Sequence, residues 1–126
     1  MNNIISENTI CAIATGSVTS AIAIIRVSGN EAIQIANSIF SKDLKNTKSH
    51  TLIYGNILDG KNIIDEVLLS IFKNTKSFTG EESVEISCHG SPFIQDCLLQ
   101  LFILKGARLA KPGEFTQRAF LNGKMD

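Results

Sequence analysis

The stretch from Ser83 to Ala110 limits the possible folds more than any other part of the chain. Ser91-Pro92 offers a hydroxyl able to cap a helix, followed by a proline whose fixed φ suits a first helical turn, and Gly106 can take the left-handed stop position. Between them Phe93, Ile94, Cys97, Leu98, Leu101 and Phe102 recur at three-and-four spacing and define one apolar face. Upstream, Ser83–Cys88 alternates, with Val84, Ile86 and Cys88 on one side and Glu85 and Ser87 on the other. Downstream, Arg108–Ala110 reads as a short strand. That strand, helix, strand order calls for a sheet with an amphipathic helix laid on it.

The remaining segments supply more of the same material. Thr9–Ala14 and Ala21–Val27 are β-rich apolar runs joined by the Gly/Ser/Thr stretch Gly16–Ser20, a candidate ligand-contacting loop. Ser28-Gly29-Asn30 offers capping side chains ahead of a first helix whose buried stripe is Ala32, Ile33, Ala36, Ile39 and Phe40, ending near Ser41. Lys42–Ser49 is polar and reads as an exposed connection. Thr51–Leu58 and Ile63–Phe72 are strand-like and meet at Asp59-Gly60, a pair suited to a tight hairpin. A polar turn spans Asn74–Glu82, and Pro112-Gly113 precedes a short helix, Glu114–Leu121, closed by Asn122-Gly123. The expected fold is α+β: a mixed β-sheet covered on one face by amphipathic helices.

With 126 residues, 44% of them apolar, the chain suits one domain with one core, taken as residues 1–126. Twelve basic side chains balance twelve acidic ones, so no net field draws the whole surface onto nucleic acid or an anionic membrane. No apolar run reaches the roughly 20 residues that span a bilayer, and Met1-Asn2-Asn3 does not open as a signal peptide does. A cytoplasmic protein with no membrane partner is expected. Cys11, Cys88 and Cys97, odd in number and set in apolar surroundings, fit reduced buried thiols better than a disulfide frame.

Five features bear on chemistry. Gly55–Asn62 spells GxxxxGK, yet Asn62 stands where a magnesium-binding hydroxyl belongs and the segment joins two strands instead of opening a helix, so a hairpin explains it. In Cys88-His89 adjacent strand residues point to opposite faces, and no second Cys/His cluster completes a zinc site; Cys88 is expected to pack and His89 to shape the turn or touch a pocket. Arg26 lies inside the apolar strand Ala23–Val27, so its guanidinium needs an anionic or carbonyl partner, either an internal carboxylate such as Glu85 or a ligand. Glu85 poses the matching choice between simple solvation and accepting two N–H groups from a pterin-like edge. Lys124, behind Gly123, either favours the negative end of a helix or contacts a ligand.

Read together, Ile24–Gly29, Phe78–Ile86, Cys88-His89-Gly90 with Pro92, and Ala107–Asp126 resemble the N-terminal domain of the tRNA modification GTPase family often called MnmE or TrmE. The resemblance covers essentially the whole chain, and the ordered block Arg108–Asp126 is its most specific part. It implies a fold like the folate-binding domain of aminomethyltransferases, homodimerisation, and a 5-formyl-tetrahydrofolate type cofactor as one-carbon donor. It also implies work with the flavoprotein MnmG/GidA on carbon 5 of the wobble uridine of tRNA, with tRNA held mainly by the full-length complex. The family's folate-contacting arginine, glutamate and lysine fall on Arg26, Glu85 and Lys124. No catalytic residue or metal ligand is assigned to this chain; GTP, magnesium and potassium are expected only in the separate GTPase domain, which the family carries within a helical domain beyond this region.

Two departures stand out. Thr15–Ala21 lacks the proline and glycines common in the family's first loop, so its backbone approaches a ligand less closely. Gly90-Ser91 replaces Gly-Gly, which improves the helix cap. Competing expectations are a folate-dependent aminomethyltransferase half-domain, disfavoured by Pro112–Asp126, and a dimerisation module without ligand.

Overall fold

The computed structural model describes residues 8–15, 21–73 and 76–124. Within them the apolar alternations become six strands of one sheet: β1 (Ile10–Ile13), β2 (Ile22–Ser28), β3 (Thr51–Asp59), β4 (Asn62–Phe72), β5 (Ser83–His89) and β6 (Arg108–Leu109). The three-and-four patterns become α1 (Ala32–Ile39), α2 (Pro92–Leu104) and α3 (Glu114–Leu121). The sheet order is β3-β4-β5-β2-β1-β6, antiparallel except for the parallel β1–β6 pair, so the sheet is mixed as expected. The crossover through α2 carries the chain from β5 past β2 and β1 to β6.

The β3–β4 hairpin turns at Gly60-Lys61, with Asp59 paired to Asn62. Gly60 takes φ 62°, which a residue with a Cβ adopts at a cost, whereas Asp59 stays in the ladder. The would-be phosphate loop is therefore strand and turn. α2 begins as its sequence predicts: Ser91 accepts the Ile94 amide through its hydroxyl, Pro92 fills the first turn, and the Ala107 amide closes on the Phe102 carbonyl at 3.0 Å.

The core lies between one sheet face and α1 with α2. Cys11, Ala23, Ile25, Val27, Leu69, Ile71, Val84, Ile86 and Cys88 of the strands meet Ala36 and Ile39 of α1 and Leu98 and Phe102 of α2. Several details depart from the sequence reading. Ser28 does not cap α1; the Glu31 amide is taken by the Thr9 hydroxyl at 3.0 Å, and Ser28 faces the other way. Leu44 anchors the otherwise polar 42–49 connection in the core, fully buried. In α2 Phe93 is 74% exposed, and Gln95 is buried instead because its side-chain amide donates to the Gly90 carbonyl at 2.9 Å. Two of the three cysteines, Cys11 and Cys88, are buried, while Cys97 is only partly so, and all three are free thiols. The helices also do not share one face: α3 sits on the side opposite the core, where its Phe115 meets Arg26. Ile10 and Ala119 are fully buried outside the main cluster. Among the described residues no helix is long and apolar enough to cross a membrane.

Candidate functional site

Because Ile25 and Val27 point into the core, the pleat sends Arg26 to the open face of the sheet. Register then puts it directly opposite Glu85 of β5, and its Nε donates to Glu85 Oε2 at 2.9 Å. The pair is partly buried, with side chains 20% and 27% exposed. The internal partner that Arg26 required is thus Glu85. This single contact uses one nitrogen and one oxygen. Among the described residues the two terminal guanidinium nitrogens and Glu85 Oε1 make no other hydrogen bond, which leaves them for a ligand.

The guanidinium is flanked by aromatic rings. Its central carbon lies 4.8 Å from the centre of the Phe78 ring and 5.2 Å from that of Phe115, inside the range of cation–π attraction. Beside it opens a cleft of about 380 Å³ lined by Arg26, Phe78, Lys111, Pro112, Phe115 and Thr116, within the ~300–1,000 Å³ usual for small-molecule sites.

Both rings are carried by segments tied together through ion pairs. Arg118 of α3 is 2% exposed; its Nη1 donates to Glu81 Oε1 and Oε2 at 3.1 and 3.2 Å, and its Nη2 to Glu114 Oε2 at 3.4 Å. Glu114 also accepts both terminal nitrogens of Arg108, at 3.1 and 2.7 Å, and the Lys111 amide at 2.8 Å. The hydrogen bonds from Arg108, ahead of the Lys111 amide, hold the Glu114 carboxyl down at about 2 against its ordinary 4.5, although burial alone would raise it. Glu81 Oε1 accepts the Ser28 hydroxyl at 2.7 Å, and Ser28 shares a 2.6 Å hydrogen bond with Thr79.

Lys124 follows α3, its amide donating to the Ala119 carbonyl at 2.8 Å. It lies against the loop that carries Phe78: a Cβ added to Gly80 would stand 3.1 Å from Lys124 Cγ and 2.7 Å from Asn122 Cβ, so glycine is required by close approach as well as by its φ of 81°. Arg26 and Glu85 therefore touch, and Lys124 packs on the adjoining loop.

Sequence reasoning did not single out Phe78, Phe115, Glu81, Glu114 or Arg118. Phe78 and Glu81 lie in one block that carries the family resemblance and the other three in another, and Glu114 with Arg118 is an i,i+4 pair legible on any helix. Their joint role depends on contacts 37 residues apart.

Other candidates resolve simply. Cys88 packs in the core, burial pushing its thiol up to about 11, and Cys11 is raised to about 11 in the same way. His89 turns out of the core, where its Nδ1 lies 2.7 Å from Asp65 Oδ1 and its amide donates to Asp65 Oδ2. A second cleft of about 230 Å³, near Ile22, Tyr54, Leu68 and His89, is mostly apolar and lacks the charged pair. No group of three potential metal ligands occurs among the described residues. The 16–20 loop lies outside them.

Fold and site together define an α+β domain with a charged, aromatic-flanked cleft on the open face of its sheet. Residues 9–124 match the family model described as GTP-binding protein TrmE N-terminus, and the chain belongs to that family. It is similar to the tRNA modification GTPase MnmE of Flavobacterium psychrophilum, 56% identical over 97% of this chain and 27% of the relative. The protein of the same name from Bacteroides thetaiotaomicron is 53% identical over 96% and 27%, and that from Enterococcus faecalis 50% over 94% and 27%. The chain thus spans about a quarter of the length of these curated relatives.

Proposed function

We propose that this chain is the folate-binding, dimer-forming N-terminal domain of a tRNA modification GTPase. In this reading it holds a 5-formyl-tetrahydrofolate type cofactor for C5 modification of the tRNA wobble uridine, in the cytoplasm, together with the flavoprotein MnmG/GidA. GTP hydrolysis, with its magnesium and potassium, belongs to a separate domain.

The observation that carries this reading is the Arg26–Glu85 pair on the open sheet face, half-satisfied and flanked by Phe78 and Phe115 beside the cleft. Glu85 Oε1 suits the amino and ring N–H groups of a pterin, and the terminal nitrogens of Arg26 suit its carbonyl oxygen. The phenyl rings suit a flat heterocycle. Lys124 adds positive charge toward the carboxylates of the folate tail. The bound folate would supply the one-carbon unit; the side chains here bind and orient it and need perform no proton transfer.

Calorimetric titration of the chain with 5-formyl-tetrahydrofolate tests the proposal. Saturable binding is expected, weakened at least tenfold by Arg26→Ala or Glu85→Ala and less by Lys124→Ala. Equal affinity in wild type and variants, or none in wild type, would overturn the folate assignment. Sedimentation equilibrium tests the homodimer separately.

A further inference from the structure

Resting on the folate reading, we infer that Arg118 is a positioning residue that fixes the gap between Phe78 and Phe115 and so sets which flat ligands the Arg26–Glu85 site admits.

The two rings reach Arg26 from segments with no chain continuity. Phe78 belongs to the loop before β5, and Phe115 to the first turn of α3. Arg118 is the one guanidinium, among the described residues, that hydrogen-bonds to both segments: Nη1 holds Glu81, three residues after Phe78, and Nη2 holds Glu114, which immediately precedes Phe115. The Glu81 carboxylate passes the constraint to β2, since the Ser28 hydroxyl donates to it. Ser28 lies two residues beyond Arg26 on the same side of that strand, so both rings are referenced to the strand that carries Arg26.

The site is built at a cost a merely adhesive contact would avoid. A buried guanidinium is expensive to desolvate, and Arg118 Nε is itself buried with no hydrogen-bond partner. An apolar side chain would pack α3 at least as well, but would not fix the separation of two rings through directional bonds. The loop has a second tie to α3, from Asn122 Nδ2 to the Thr79 carbonyl at 2.9 Å. Weakening the Arg118 grip therefore lets the rings shift without releasing the loop.

Arg118→Lys keeps the charge but loses the planar fork that spans two carboxylates. Its effect is read in two ways. By NMR, the Arg26 Nε–H resonance and ring-to-ring contacts between Phe78 and Phe115 report the gap with no ligand present. By calorimetry, the affinity ratio of 5-formyl-tetrahydrofolate to a tail-less pterin reports selectivity. The expected results are a moved Arg26 resonance and a ratio changed at least fivefold. Leu98→Ala, in the core on the far side of the sheet, serves as a control chosen to lower the melting temperature comparably while leaving both readouts alone. An unmoved resonance in folded Arg118→Lys, or the same changes in Leu98→Ala, would overturn the inference. If the resonance moves while wild type binds no folate, the folate reading fails and the positioning role stands. Should Arg118→Lys not fold, Glu81→Gln, which keeps the Ser28 contact and weakens only the Arg118 grip, makes the same measurements and is held to the same outcomes.

Discussion

The two faces of this sheet are built on opposite principles. On the covered face α1 and α2 bury a continuous apolar cluster in which polar side chains have little part. On the open face α3 and the 77–82 loop meet through Arg118, Glu81, Glu114, Ser28 and Thr79, most of them buried. Hydrophobic burial is non-directional and holds a fold together over many arrangements, whereas a network of ion pairs fixes one. The difference gives the covered face most of the stability and the open face, beside a smaller share of stability, a fixed geometry.

The sharpest way to break this division is to attack the covered face. Phe102→Ala, at a fully buried position, is expected to cost about 3–5 kcal/mol in urea unfolding. The folate affinity proposed above should be the same in the still-folded fraction, and a specific loss of affinity there would erase the distinction. Acid addresses the open face. With its folded pKa at about 2, Glu114 contributes stability that is complete above its ordinary 4.5 and is lost as pH falls toward 2. That contribution is on the order of 2–3 kcal/mol. Urea midpoints at pH 6 and pH 3 should differ in wild type, and much less in Glu114→Gln; an identical pH dependence in both would remove the claim. Ser91→Ala deletes a cap on the covered side and should cost about 1 kcal/mol with no effect on binding. The smallest stability effect is expected from Glu85→Gln. A partly exposed pair is worth less than about 1 kcal/mol, so affinity should fall while the melting temperature barely moves.

Legibility in the sequence divides along the same line. α2 was readable because its signals are local: a hydroxyl and proline at one end, a glycine at the other and an apolar repeat between. The β3–β4 hairpin followed from the glycine between two strand-like runs, and the outward turn of Glu85 from alternation, whereas Arg26 sits in an apolar run whose spacing gives it no face. What escaped depends on partners distant in the chain. Ser28 looks like a helix cap until Thr79 and Glu81 claim it, and Thr9, 22 residues upstream, takes over the cap of α1. Leu44 is a lone apolar residue in a polar stretch, and no period reveals that it reaches the core. Phe93 fits the apolar repeat of α2 yet is exposed, while Gln95 breaks the repeat and is buried by its hydrogen bond to Gly90. The aromatic rings beside Arg26 have no spacing signal at all, because they come from separate segments.

The parallel seam between β1 and β6 has a consequence for biosynthesis. Thr9 and Cys11 offer their carbonyls to the amides of Arg108 and Ala110, so this edge of the first strand finds its mate only once residues 108–110 have been made. At ordinary elongation rates, that edge waits on the order of ten seconds after leaving the ribosome. During this interval it is an unprotected template for mispairing. A nascent chain stalled before residue 108 should accordingly engage holdase chaperones more strongly than one stalled well past residue 124.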